Sequence, residues 1–289
     1  MQAKLLLVHA LSPLHAGTGQ GVDVIDLPIA REKATGIPYV PGSTIKGVLR
    51  DACQDDKKVA VFGPETSNAS EHAGSAQFSD ARLLLLPVRS LAGTFAWVTS
   101  PLLLRRFVRD AQNSQDVYPP DNIPEPADRG ACCVANQSCA LLLQQQNARS
   151  VVLEDLLLAP TEDAATATWG SWLGRHIFLD DAYWQDALRS RLCIVHDDVL
   201  SFLLQTATDV TARIQLESAK KTVKRGALWY EEALPAETIL SGLVVAAPTQ
   251  QANLDPEAIF TIVEGLTDAI VQIGGNATVG RGLCQLRLI

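Results

Sequence analysis

Between His15 and Lys33 the chain reads HAGTGQGVDVIDLPIAREK. Gly17, Gly19 and Gly21 alternate with Thr18 and Gln20, and Asp23, Asp26, Arg31, Glu32 and Lys33 follow. Side chains of these types can move protons or hold a cation, and glycines let the backbone approach a phosphate closely. The segment is not a Walker loop, since GTGQG lacks a following Gly-Lys-Ser/Thr. Nor is it a dinucleotide fingerprint, because Pro28 stands where that helix would run. The residues alone leave a ligand-approaching loop and a plain surface turn both open.

Three other stretches carry comparable chemistry. GGNATVGRG, Gly274 to Gly282, holds four glycines in nine residues, with Arg281 among them. That composition suits a loop wrapped on a phosphate backbone, and a simple connection needs fewer glycines. Arg213, Lys220, Lys221, Lys224 and Arg225 stand against Glu217 as the nearby acid, which makes either a phosphate-contacting surface or a charged, solvated hairpin. Lys46 and Arg50 share a helix face just after Gly42-Ser43, where free backbone N–H groups favour an anion. Arg105, Arg106 and Arg109 form a further basic group that the sequence assigns to neither use.

The elements that must position these loops are readable in outline. AKLLLVHAL, Ala3 to Leu11, is an apolar run of central-strand type. In STIKGVLRDAC, residues Ile45, Val48, Leu49, Ala52 and Cys53 fall on one helical face, with Ser43 the expected N-cap. Residues 55–74 read as a polar loop. Two strands flank a turn near Ala92–Gly93, and β-branched alternation on either side of Ser218 to Lys221 predicts a long hairpin. A strand over TILSGLVVAAP, a helix over Asp255 to Ile273 and a closing strand LCQLRLI complete the chain. Strand–helix–strand units at both ends predict an α+β fold of ferredoxin-like type.

Composition narrows the classes. A chain of 289 residues, 47% hydrophobic and 19% charged, can bury a substantial core. Its formal charge of −8 argues against a nucleic-acid partner only at face value, because RNA responds to local potential. The six cysteines show no Cys-x-x-Cys spacing and read as buried free thiols. The opening MQAKLLLVHALSP faintly echoes a secretory signal, but His9 and Pro13 break its apolar core. No run approaches the roughly 18 apolar residues of a membrane span. The expectation is a cytoplasmic protein with no membrane association.

Four segments together carry a family resemblance: SPLHAGTGQGVDVIDLPIAREKATGIPYVPGSTIKGVLR, FSDARLLLLPVRSLAGTFAWVTSP, LWYEEALPAE and GGNATVGRGL. The chain resembles the backbone subunit of the Cmr (type III-B) CRISPR effector complex, within the RAMP superfamily. The resemblance is weakest from about Leu102 to Asp198. It implies a ferredoxin-like (RRM-like) palm over 1–100 and 232–289, a helical and loop insertion over 101–198, and a protruding thumb hairpin over 199–231. Its implied partners are guide CRISPR RNA, single-stranded target RNA, further copies of itself in a helical filament, and other Cmr subunits.

The implied activity is metal-dependent cleavage of the paired target RNA at regular intervals. Asp26 in VIDLPIAR matches the family's catalytic aspartate and would also hold the Mg²⁺ or other divalent cation. His15 matches the histidine of the H-x-G-x-G motif, and Tyr230 and Glu231 in LWYEE are further site candidates. RNA contacts are implied for Gly17, Gly19, Arg31, Ser43, Lys46, Arg50, Gly274, Gly275, Thr278, Gly280 and Arg281, with Arg213, Lys220, Lys221 and Lys224 on the hairpin. RNA carries its own nucleophile, the 2′-OH, so Asp26 would either accept that proton or bind the cation. Asp23 is expected to face solvent. The competing expectations are a non-catalytic RNA-binding scaffold and a metal-independent endoribonuclease that matures the guide.

Overall fold

A computed structural model describes every residue except 18, 20–24, 65–72, 115, 137–138, 146–147, 217–222, 248 and 250–253, with backbone alone at 145, 216 and 223–226. In chain order the elements are β1 Gln2–Ala10, β2 Tyr39–Val40, α1 Gly42–Ala52, α2 Lys58–Phe62, β3 Ala76–Phe78, β4 Ala81–Arg89 and β5 Phe95–Thr99. There follow α3 Pro101–Ala111, β6 Ala131–Val134, β7 Leu143–Gln145, β8 Ala148–Leu153, β9 Leu156–Glu162, α4 Ala164–Ile177 and α5 Ala182–Arg191. The last are β10 Leu192–Val195, α6 Asp197–Thr206, β11 Asp209–Leu216, β12 Val223–Ala233, β13 Ile239–Ala246, α7 Pro256–Gly265, β14 Val271–Gln272 and β15 Leu283–Leu288.

Among the described residues one mixed sheet runs in the order β14-β15-β1-β13-β4-β5-β10-β6-β9-β8-β7, with β2 on β4 and β3 on β13. The expected α+β class is met. The apolar run of β1 explains its central place. Leu6, Val8 and Ala10 pack into one core with Ile45, Leu49 and Phe260, whereas Leu5 and Leu7 face a second core with Trp97, Phe107 and Trp169. A strand covered by helices on both faces needs apolar side chains at odd and even positions alike.

Several expectations change. Residues 101–198 carry the strands β6 to β10 besides helices, and these extend the main sheet. Runs as short as ACCV and LCIV are too brief to show a period. Within 55–74, Lys58–Phe62 is a short helix. The helix expected to reach Ile273 stops at Gly265, where Thr267 N and Oγ1 both donate to Glu264 O at 2.8 and 2.9 Å. Val271–Gln272 then pairs with β15 instead. On α1, Ala52 is exposed and Pro41, not Ser43, is the N-cap; Asp80 Oδ1 accepts from Gly42 N at 2.9 Å.

β11 and β12 form a separate antiparallel ribbon, registered from Asp209 opposite Ala233 to Ile214 opposite Leu228. One face of it exposes Val210, Ile214, Leu228 and Tyr230. No helix among the described residues is long and apolar enough to cross a membrane.

All six cysteines are free and buried. Burial pushes the Cys133 thiol up to about 11 and the Cys284 thiol to about 12. Because all six thiols are buried away from solvent, iodoacetamide at pH 8 is expected to leave all six unmodified in the native protein and to modify all six in guanidinium. Intact mass before and after unfolding reads the count.

Candidate functional site

The described residues between Pro13 and Arg31 form no regular strand or helix, yet their backbone is stitched at both limbs to the end of β12. On the outgoing limb Leu14 N donates to Leu234 O and Leu234 N to Leu14 O, at 2.8 and 2.9 Å. On the returning limb Leu27 N donates to Tyr230 O and Glu232 N to Leu27 O, each at 3.0 Å. The limbs also meet each other: Gly17 pairs with Ile29, and Ala30 N donates to Ala16 O at 2.8 Å. Polar backbone that would be orphaned in a buried loop is satisfied by these short β-like contacts.

Asp26 lies on the returning limb with its side chain exposed, and its Oδ2 accepts from Tyr230 N at 2.8 Å. The Asp26 carboxylate is therefore tied to the root of the hairpin. Tyr230 is itself 41% exposed. His15 Nδ1 lies 2.6 Å from Glu232 O. A carbonyl only accepts, so Nδ1 bears the proton and, in the neutral ring, Nε2 is an acceptor. The ring has room because Gly17 lacks a Cβ, which would meet Nε2 at 2.6 Å. His15, Asp26 and Tyr230 thus gather around residues 230–232 of β12. Glu231 points the other way, as strand alternation requires. Its side chain is buried, its Oε2 accepts from Arg213 Nε at 3.0 Å, and its shielded Oε1 has no partner among the described residues.

Glu232 was not among the residues expected from sequence. Its carboxylate is 4% exposed and takes three bonds: Ile29 N to Oε2 at 3.1 Å, and Arg31 Nη2 and Thr208 Oγ1 to Oε1 at 2.6 and 2.9 Å. Arg31 also donates to Gly36 O and Leu204 O, so its fork is committed to internal partners. The second Glu of LWYEE differs from the first only by which face of β12 it occupies, a register that the hairpin alone makes visible.

Just beyond Arg31, Arg106 on α3 grips Glu32 through both guanidinium nitrogens, with Nη1 to Oε2 at 2.8 Å. The Arg106 hydrogen bond holds the Glu32 carboxyl below its ordinary range. A depressed folded-state pKa contributes stability that is present at neutral pH and lost as pH falls through it. Glu32→Gln is therefore expected to lose about 1 kcal/mol at pH 7, a difference from wild type that closes in acid as the Glu32 carboxyl protonates. Urea melts at pH 7 and at about pH 3.5 test this.

The C-terminal glycines divide into two kinds. Gly274 (φ +81°) and Gly282 (φ +74°) are pressed by protein: an added Cβ would lie 2.3 Å from His15 O and 2.0 Å from Ile273 O, respectively. Gly275, Thr278 and Gly280 are exposed, as is Gly19 on the first loop. Arg281 reaches the hairpin, with Nη2 3.2 Å from Thr211 Oγ1, and its Nη1 is shielded without a partner among the described residues. On α1, Ser43 and Lys46 border a groove of about 440 Å³ also lined by Gly63, Gly74 and Phe78, and Arg50 Nε donates to Gly63 O at 3.4 Å. Asp23, Lys220 and Lys221 lie outside the described residues, and Lys224 is described by its backbone alone.

Among the described residues no three His, Cys, Asp or Glu side chains converge as a metal centre. One exposed carboxylate, Asp26, is what a hydrated Mg²⁺ uses when substrate phosphates complete its shell.

The model of the RAMP superfamily matches residues 7–285. The "CRISPR system Cmr endoribonuclease Cmr4" of Pyrococcus furiosus is 33% identical over 302 residues, spanning 100% of this chain and 96% of that protein. A crystal structure of oligomeric Cmr4 from the same organism superposes with a TM-score of 0.76 at 28% identity, covering 100% of this chain and 98% of that one. A chain of a type III-B Cmr-beta complex bound to cognate target RNA shares the fold, with a TM-score of 0.73 at 20% identity over 100% and 97%.

Proposed function

The chain belongs to the RAMP superfamily as a backbone subunit of the Cmr type, and from that membership we propose that several copies assemble along a guide RNA and cut the paired target RNA at regular intervals. The full-length kinship with a Cmr endoribonuclease supports the activity, and the likeness to an oligomeric Cmr4 structure supports self-association. In this reading the sheet and its helices form the ferredoxin-like palm, and the β11–β12 ribbon is the thumb that splays a nucleotide from the guide–target duplex. Residues 101–198 are an elaboration of the palm. The exposed positions Gly19, Ser43, Gly275, Thr278 and Gly280, with Lys46 beside its groove, line the RNA path together with the hairpin lysines.

The observation that carries the cleavage reading is the exposed Asp26 carboxylate, held by Tyr230 N at the root of that hairpin. A splayed nucleotide frees the RNA backbone to swing its 2′-OH in line with the neighbouring phosphorus. The O2′–P bond forms as the P–O5′ bond breaks, the 2′-OH proton leaves to a base, and the departing 5′ oxygen takes a proton from solvent water. Asp26 receives that proton or orients the hydroxyl, and His15 Nε2 is a second acceptor. A divalent cation held by Asp26 and RNA phosphate would neutralise charge building on the phosphoryl oxygens.

The test is reconstitution of the complex with guide and end-labelled target. Evenly spaced cuts that disappear with EDTA and return with Mg²⁺ are expected. Target binding without any cut attributable to this subunit would leave only an RNA-binding scaffold.

A further inference from the structure

Both candidate groups of the site depend on one residue that neither touches RNA in this reading nor stands in its motif as a reactive group. Glu232 bonds to the site through four of its polar positions. Its N–H holds Leu27 O, one residue beyond Asp26, at 3.0 Å. Its carbonyl takes His15 Nδ1 at 2.6 Å. Its Oε2 takes Ile29 N and its Oε1 takes Arg31 and Thr208. The returning limb is thus clamped at 27, 29 and 31, on alternate residues, by a single side chain and its own amide.

We propose that Glu232 is the positioning residue for the cleavage reaction, locking the Asp26 limb against β12 at the distance the Tyr230 N–H bond requires. This inference rests on the reading of Asp26 as the group that acts on target RNA. The physical basis is directional. A buried carboxylate must be fully partnered, and of the residue's five bonds three, to Leu27, Ile29 and Arg31, lie on the returning limb of the loop. Holding an otherwise irregular segment in one register is what those contacts do. The carboxylate's two oxygens serve separate donors, Ile29 N on Oε2 and Arg31 with Thr208 on Oε1. A glutamine fills the same volume but presents an NH₂ to one of those donors, so the clamp opens on one side without a cavity. The effect on cutting follows from geometry: a misplacement near 1 Å at a reacting group costs on the order of a hundredfold.

The experiment uses the reconstituted complex with Glu232→Gln and Glu232→Ala, each alone and combined with Asp26→Ala, and measures single-turnover cutting at saturating target, the half-saturating target concentration, and the fraction of subunit assembled. We expect both Glu232 variants to lose cutting by about 30- to 100-fold per assembled complex, with half-saturation unchanged. In the Asp26→Ala background they should add no further loss, because Glu232 acts through that limb. Glu232→Asp, which keeps both oxygens on a shorter stem, should recover part of the rate. A Glu232→Gln complex that cuts at the wild-type rate would overturn the inference, as would a loss accounted for wholly by poorer assembly. An undiminished Asp26→Ala complex sinks the underlying reading instead, so the two failures are told apart.

Discussion

Asp26→Ala is expected to lower target cutting by about a thousandfold, within the range for loss of a positioned proton acceptor, while leaving guide and target binding intact. The structural cost is small. The side chain is exposed, and its removal hands Tyr230 N to water, a change worth about 1 kcal/mol. Asp26→Asn sharpens the experiment. Its side-chain oxygen still accepts from Tyr230 N, so the limb keeps its anchor, but the negative charge and the proton-accepting capacity are gone. Both variants should therefore lose cutting alike, and the asparagine should match wild type in melting temperature. Gel analysis of end-labelled target in Mg²⁺ reads the first, differential scanning fluorimetry the second. Evenly spaced cuts at wild-type rate from either variant would remove Asp26 from the chemistry.

The second large effect is on stability. Gly274→Ala is expected to cost about 3 kcal/mol, combining a left-handed backbone with overpacking. At Gly274 the φ is +81° and the missing Cβ would lie 2.3 Å from His15 O. The obstacle is backbone, and Gly275 N donates to that same carbonyl at 2.9 Å, so it cannot swing aside without breaking a bond. With unfolding entropy of about 2 cal/mol/K per residue, that cost lowers the melting temperature by roughly 5 °C. Because the carbonyl belongs to His15, the displacement should also weaken cutting in proportion to how far the outgoing limb moves. Gly280→Ala is the control: its φ is +77° but nothing lies within 4 Å, so it keeps the conformational cost and lacks the collision. Equal losses from the two would refute the close-approach account.

The same glycines show where reading residues in order reaches its limit. From composition, GGNATVGRG is a loop made to wrap a phosphate backbone. In the fold, Gly274 and Gly282 are spent on protein carbonyls, and Gly275, Thr278 and Gly280 remain available to a ligand. A missing side chain looks identical in sequence whether the neighbour it admits is RNA or protein. Arg31 teaches the same lesson for charge: its motif position suggests a contact to RNA, and its guanidinium is shared among Glu232 and two carbonyls.

Sequence by itself determined the α+β class, the central β1, the hairpin, α1 and the family, because periodicity, turn chemistry and motif spacing are properties of neighbours along the chain. It also singled out Asp26. Tertiary structure alone decided that Asp26 is anchored by Tyr230, that Glu231 turns inward and Glu232 clamps the loop, and that the four-residue strands β6 and β10 join the sheet. The Asp26 and Glu232 outcomes depend on partners some 200 positions away, that of Glu231 on which face of β12 it occupies, and those of β6 and β10 on strands distant in the chain; neighbours along the sequence specify none of them.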